Sequence, residues 1–449
     1  MLKLIHTWKY RRWAALLSVP VLGLCLGAAP AAHAKTTDGP GQAIADPWAG
    51  DNIDPHILAI MRQQEKLNPA VTILTQAAMA DPNSGIASVA FEGAGLSLYW
   101  KGALTPAMSS ALAAARRIGP VTVKPAAYSQ AELMAARDRI EKAETGSDIQ
   151  TIKMNSDGSG LSIERIPPTA TKALAAKAAR AAKVAGARAP LQTAADVVAA
   201  AGVTVPVRIT TASAPITLYS CPSSGCIRTN DESPWNSGDY INWYHNTQGN
   251  WWHCTTGFGV RVPSWGSQTY ILTAAHCATW HAGGGDDAYD GAYEYMGRAM
   301  LTEDWDKDLI LIDARGYPWM FDGDANTGRH KVVHSWGYRA TGEYLCQSGS
   351  TSGTVCGLQT QGGDITNWGC DSDGACYYLH GLTQALQVNG QQAAQGGDSG
   401  GPVFSLDGDG VRAKGIVSAG QGNSLLFQDM ADVTTSRSGA WVAAFPLTS

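Results

Sequence analysis

The 449-residue chain has no cysteine between Cys25 and Cys221, no histidine after His380, and no long apolar run beyond its first 34 residues. Positive charge is scarce in its larger half: residues 205–449 carry 12 Lys and Arg against 23 Asp and Glu. Each shortage argues against a class of function. Nucleic acid is bound by clustered Lys and Arg, so an acidic C-terminal half and a formal charge of −5 speak against it. A helical membrane span needs about 20 apolar residues, and none follows the head of the chain. Neither CxxC pairs nor Cys/His pairs at zinc spacing occur, so no metal or other cofactor is expected.

The head itself is basic and apolar. Lys9, Arg11 and Arg12 precede an apolar run from Ala14 to Ala29 broken by Pro20, and Ala32-His33-Ala34 fits a small-x-small cleavage site. This predicts a signal peptide over 1–34 and a secreted, extracellular product with no membrane attachment after signal removal. Charge then falls along the chain, +4 in 1–34, +2 in 35–204 and −11 in 205–449. Apart from Cys25, the eight cysteines all lie after residue 220, as a disulfide set in an exported chain would. Sequence proximity suggests the pairs 221–226, 254–277, 346–356 and 370–376. Alternating acids in Cys370–Cys376 could hold calcium, but a full loop needs more ligands than this turn offers.

From Lys35 to about Pro206 the pattern is mixed. Strands are predicted at Ile86–Phe91, Leu96–Trp100, Val121–Lys124, Thr151–Met154 and Leu161–Ile166, the last two turning at Asp157-Gly158, and helices at Pro106–Ile118 and Gln130–Ala143. This reads as a small α+β domain, followed over Thr169–Arg188 by a solvated helix or linker. After about 205 helical periodicity ends, and short alternating runs appear between glycine-rich turns, as in Gly257–Val262, Thr269–Ala274, Leu309–Asp313, Lys331–Tyr338, Pro402–Leu406 and Val411–Ala419. Such a series predicts an all-β barrel or sandwich. Only Arg437–Phe445 is predicted as a helix in this part. Pro206, Pro215, Pro222 and Pro234 mark an extended linker between the two.

Three segments carry chemistry: Tyr270–Cys277 with His276, Asp306–Ile312 with Asp308, and Gly396–Val403 with Ser399. A serine hydroxyl is a poor nucleophile until a histidine takes its proton and a buried carboxylate orients the imidazole. Asp304 and Asp306 compete for the carboxylate role, but Asp308 opens an apolar strand that can hold it at the buried end. Gly397 lets its own N–H and that of Ser399 converge as oxyanion donors, worth about 3–4 kcal/mol each where measured. Gly397–Gly401 alone also fits the nucleophile elbow of α/β-hydrolases. That fold needs its histidine after the serine, and this chain has none there.

Leu272–Cys277 and Gly397–Val403 resemble the chymotrypsin-fold serine proteases, and Cys254–Phe258, Cys346–Thr351 with Cys356-Gly357, and Phe427-Gln428 are similar to their secreted bacterial branch, the streptogrisin and α-lytic protease group. The resemblance covers about 235–449. It implies an all-β fold of two six-stranded barrels with the triad between them, Ser418 hydrogen-bonded to Asp308, and a strand Ser418-Ala419-Gly420 that pairs with the substrate backbone. It also implies that the α+β domain is a pro-region that assists folding and blocks the cleft of its own catalytic domain. Barrels rich in non-local contacts fold slowly, which gives such an assistant a physical purpose.

The chain departs from that pattern. Gln395 and the lack of any cysteine after Cys376 remove the usual clamp on the specificity pocket. Ala393 stands at the pocket floor where a carboxylate would select Lys or Arg, Val417 stands where glutamate-specific relatives carry histidine, and Ala419 replaces a bulky wall. A small or apolar P1 side chain follows. Gln347 replaces the arginine that pairs with Asp398 in the branch, leaving Arg339 or a freed N-terminus as candidates.

The sequence thus predicts four parts: a signal over 1–34, an α+β pro-region over 35–205, a linker and processing region over 206–237, and a chymotrypsin-like domain over 238–449. The expected function is a secreted serine endopeptidase acting on protein or peptide substrates. The alternative is a catalytically silent or zymogen-like protease-fold protein acting as a binding module, with Trp251-Trp252 as a sugar- or peptide-binding face.

Overall fold

Capping side chains and well-placed prolines start the helices of the N-terminal half. A computed structural model describes residues 48, 51 and 53–449, except 172–173, 176, 179–190, 219–220, 223–227, 246–248, 279–284, 371–375 and 438–440. The chain divides into two units, Met1–Ala45 and Asp46–Ser449, and every described residue belongs to the second. The predicted signal therefore lies outside the described residues, as does most of Thr169–Arg188.

Thr105 accepts the Met108 N–H ahead of helix Pro106–Arg116, and a reciprocal Ser129–Glu132 capping box opens Gln130–Ala143. Three helices not read from the sequence are present as well. Asp54 caps Pro55–Glu65, Asn68–Met79 follows directly, and Thr193 with Asp196 caps Ala194–Ala201. Pro55 and Pro69 look like breakers in the sequence, yet each sits in a first turn, where a missing N–H costs nothing.

The predicted α+β region holds two cores rather than one. Strands Ile86–Glu92, Gly95–Trp100 and Val121–Pro125 form their own sheet and share a core with helices Asn68–Met79 and Pro106–Arg116. The hairpin Ile149–Met154 and Leu161–Arg165 leaves that sheet. It packs with Gln130–Ala143 and Ala194–Ala201, and it pairs Ile152 with Thr366 on the long strand Gly353–Cys370.

Both barrels close. In the first, Gly259–Arg261, Thr269–Thr273, Leu309–Ile312, Tyr295–Asp304, Asp287–Tyr289, Tyr240–His245 and Asn250–Thr255 are neighbours in that order. Only residues 256–258 separate the two end pieces in sequence, so one bent strand joins both edges and the strand count is six. In the second, Gly353–Cys370, Tyr344–Gly349, Pro402–Asp407, Gly410–Gln421, Ser424–Asp429 and Cys376–Gln387 pair in turn, and the last pairs with the first. The fold is thus a chymotrypsin-like pair of six-stranded barrels preceded by α+β structure. Leu309–Ile312 is buried along its whole length, and four such aliphatic side chains contribute roughly 6–12 kcal/mol.

The described strands of residues 206–237 pair into this frame. Val207–Thr211 runs parallel to Leu161–Arg165, Thr217–Leu218 pairs with Gly420 and Ala419, Cys221–Pro222 pairs with His253 and Trp252, and Trp235–Ser237 lies along Gly316–Phe321. Trp48, Ile57 and Met61 are buried with Phe258, Leu272, Phe404 and Ile416. Gln64 donates to the Gly342 carbonyl at 2.8 Å and accepts the Tyr344 N–H at 2.7 Å, completing the backbone pairing at the start of a barrel strand.

Two disulfides join Cys254 to Cys277 and Cys346 to Cys356, as sequence proximity suggests. Cys376 is also disulfide-bonded, while Cys226 and the side chains of Cys221 and Cys370 lie outside the described residues. The described residues of the predicted helix Arg437–Phe445 are not helical. A single helical turn occurs earlier, at Met430–Val433, and Phe445–Pro446 is a strand on Val260-Arg261. Burial decides this: Trp441 is buried and donates to the Val433 carbonyl, and the Ala444 N–H binds the same oxygen. No helix among the described residues is long and apolar enough to cross a membrane.

Candidate active site

The side chains singled out in the sequence arrive from both barrels. His276 sits in the single turn Ala275–Cys277 after strand Thr269–Thr273, and the Cys254–Cys277 bond ties that turn to the neighbouring strand. Asp308 ends the turn Trp305–Lys307 with a left-handed φ of 53° and leads into the buried strand Leu309–Ile312. Ser399 comes from the loop before Pro402–Asp407 of the second barrel.

His276 Nε2 lies 2.7 Å from Ser399 Oγ, and His276 Nδ1 lies 2.8 and 2.9 Å from the two Asp308 oxygens. All three residues are fully buried. The Asp308 carboxylate also accepts the His276 backbone N–H at 2.9 Å and the Ser418 hydroxyl. With these donors around it, Asp308 fixes the imidazole so that Nδ1 donates and Nε2 faces the serine. Asp304 is engaged elsewhere, accepting from Arg437 Nε at 2.6 Å and the Lys307 N–H at 3.2 Å. Cys254, His276 and Cys277 are close enough to suggest a metal centre, but both sulfurs are spent in a disulfide, so the donor set does not fit one.

The loop around Ser399 is pinned from several sides. Gly397 has φ 99°, and a β-carbon there would stand 2.5 Å from His253 Cε1. Neither the Gly397 nor the Ser399 N–H is spent on a protein acceptor among the described hydrogen bonds. Asp398 finds its partners in backbone N–H groups and the Ser352 side chain rather than in a cation. Its carboxylate accepts the N–H groups of Thr351 at 3.0 Å, Ser352 at 2.9 Å and Gln395 at 2.7 Å. Burial pushes its pKa up, against these donors. Gly349 makes room for it, since a β-carbon there would collide with the carboxylate. Arg339, a candidate from sequence, binds Asp429 at 3.0 Å instead. Arg228 is buried and held by Gly238, Gly323 and Ser348; burial lowers its pKa to about 10, and the Asp398 charge opposes that.

Ala393 is fully buried in an apolar cluster with Val417, Leu425 and Phe427, and its N–H binds the Gly422 carbonyl at 2.8 Å. Ala419 and Gly420 continue the strand after Ser418, and they already pair with the backbone of Leu218 and Thr217. Sequence reasoning did not reach these two residues, nor the polar group behind Gly397. His253 is stacked on Tyr240 with centroids 3.8 Å apart, and its Nε2 lies 2.7 Å from Ser350 Oγ. Burial lowers its pKa to about 3, so the ring is neutral. Thr255 Oγ1 donates to the Gly397 carbonyl at 2.7 Å. Trp251 packs against Tyr244, Tyr289 and Tyr293, which gives this ring aromatic neighbours within its own barrel.

No protein-family model and no curated protein matches the chain. Among solved structures it is similar to bacterial chymotrypsin-fold serine proteases over about half its length. Thermobifida fusca Protease A aligns over 48% of this chain and 98% of its own, with 24% identity and a TM-score of 0.35. A Nocardiopsis protease aligns over 44% and 93%, with 22% identity and a TM-score of 0.34. Cellulomonas bogoriensis chymotrypsin aligns over 48% and 98%, with 20% identity and a TM-score of 0.34.

Proposed function

We propose that this chain is the precursor of a secreted serine endopeptidase. The observation that carries the reading is the continuous hydrogen-bonded run from Asp308 through His276 to Ser399, with 2.7 Å between His276 Nε2 and Ser399 Oγ. In this reading Ser399 attacks the scissile carbonyl and His276 takes its proton. Asp308 steadies the imidazolium, and the N–H groups of Gly397 and Ser399 receive the oxyanion. His276 then hands its proton to the leaving amine, and water releases the acyl group by the same steps in reverse. No metal or cofactor takes part. The small or apolar side chains of Ala393, Val417 and Ala419 support a small or apolar P1 residue.

Residues 1–34 are the proposed signal, 35–205 the pro-region and 238–449 the enzyme, with 206–237 between them as the processing segment. The pairing of Thr217–Leu218 on Ala419–Gly420 supports a latent precursor, because the strand proposed to hold substrate is occupied by the chain itself. The zymogen-like reading is therefore a state of the same protein: the uncut chain is silent, and the cut one is active.

The test is a fluorophosphonate probe on secreted, processed protein, with Ser399→Ala as the blank. Labelling that depends on Ser399 supports the reading. Absence of labelling in processed protein overturns it in favour of a silent protease-fold protein.

A further inference from the structure

The two proposed oxyanion donors are held in different ways. In a trans peptide the N–H points opposite to the C=O of the same peptide unit, so whatever grips the carbonyl also aims the N–H. The unit that carries the Ser399 N–H has the Asp398 carbonyl, which accepts the Gly401 N–H at 2.9 Å. That grip is backbone on backbone and depends on no side chain. The unit that carries the Gly397 N–H has the Gly396 carbonyl, which accepts the side-chain hydroxyl of Thr351 at 2.9 Å. Glycine stands on both sides of this unit, and glycine gives little resistance to rotation of the flanking dihedrals. The next unit along is held separately, by Thr255 on the Gly397 carbonyl.

Thr351 is well fixed for such a task. It lies in the turn between strands Tyr344–Gly349 and Gly353–Cys370, whose bases are joined by the Cys346–Cys356 bond. Its own N–H binds Asp398 at 3.0 Å, so its backbone is anchored to the residue next to the nucleophile. Its hydroxyl packs so close to Gly397 that a β-carbon there would collide with it.

We infer that Thr351 is the positioning residue of the oxyanion hole, its hydroxyl latching the Gly396–Gly397 peptide so that the Gly397 N–H faces the reacting carbonyl. This rests on the serine-protease reading of the site. The latch touches no reacting atom, and its effect should appear only when the oxyanion forms. Loss of one full oxyanion donor costs about 10²–10³ in kcat elsewhere, and a freed but still present donor should cost part of that.

Thr351→Val keeps the shape and the N–H to Asp398 but cannot donate. On the processed enzyme we expect kcat for a peptide substrate to fall at least about tenfold with KM within about twofold. Affinity for a peptide aldehyde, which forms a tetrahedral adduct, should fall in parallel with kcat. Thr351→Ser, which restores the hydroxyl, should return both to near the parent values. The inference is overturned if Val leaves kcat within twofold, if KM rises as much as kcat falls, or if Ser is as impaired as Val. If the parent enzyme itself fails to react with fluorophosphonate, the underlying reading fails before any variant is compared.

Discussion

Leu218 lies in register with Ala419, the residue that follows the Ser418 hydroxyl donor to Asp308. A piece of the chain's own backbone therefore occupies the strand that the enzyme reading assigns to substrate. Three residues later Cys221 pairs with His253, whose ring abuts Gly397 in the loop of the nucleophile. Cys221–Pro222 adds to the edge of the first barrel through His253 and Trp252.

In the precursor reading, these two pairings bracket the processing site. Cleavage before Thr217 would leave the strand in the cleft, and cleavage after Cys221 would remove part of the barrel edge. The expected new N-terminus is residue 219, 220 or 221. N-terminal sequencing of secreted protein checks this, with the Ser399→Ala chain expected to stay intact. An active enzyme that begins before residue 217 would contradict it.

In the enzyme reading, the Asp308 carboxylate orients His276 without exchanging protons with substrate. Asp308→Asn keeps the shape but reverses the donor at Nδ1, leaving Nε2 protonated and unable to take the Ser399 proton. A fall in kcat of about 10⁴ is expected near neutral pH, with KM little changed. Ser418→Ala removes one of several donors to the same carboxylate and should cost less than tenfold in the same peptide assay.

How far the sequence alone reaches is clear from these residues. The residues of the hydrogen-bonded run Asp308–His276–Ser399 each sit in a short local pattern, and chain order separates two folds that share the serine motif. Both described disulfides were legible for the same reason, since their cysteines are close in sequence. What could not be read depends on long-range packing. The pairing of Leu218 with Ala419 spans some two hundred residues, and the hold of Thr351 on Gly396 joins a turn to a distant loop. The helix expected near the C-terminus failed because a buried Trp441 overrode local propensity. Asp398 shows the same limit, since a missing arginine suggests another cation, whereas its partners are three backbone N–H groups and the Ser352 side chain.

His253 should mark the acid side of stability. Burial lowers its pKa to about 3, from an ordinary value of 6.5. Below pH 6.5 the unfolded chain takes up a proton that the folded chain refuses until about pH 3. Stability from the neutral ring is thus complete above pH 6.5 and is lost progressively as pH falls toward 3. His253→Phe, which keeps the stack on Tyr240, should flatten this part of the profile. Urea unfolding at stepped pH, in the Ser399→Ala background, is the measurement, and an unchanged slope would count against the assignment.

Lys414 offers the last test, since it joins the N-terminal segment to the second barrel. Its buried ammonium lies 2.7 Å from Glu343 and donates to Asn68 and the Tyr338 carbonyl, each at 2.8 Å. Burial lowers its pKa, and the Glu343 charge opposes that. Lys414→Met strands the Glu343 carboxylate in a dry site and should cost about 3–5 kcal/mol. Replacing both, as Lys414→Met with Glu343→Leu, removes the uncompensated charge and should recover much of the loss. The coupling is read from a double-mutant cycle in urea on the uncleaved Ser399→Ala chain. Asn68→Ala loosens only the helix that covers the pair, so it should weaken the hold of the N-terminal segment more than the barrel itself. Limited proteolysis separates the two effects: earlier cuts confined to residues before 80 are expected, with the barrel fragment persisting at its parental rate.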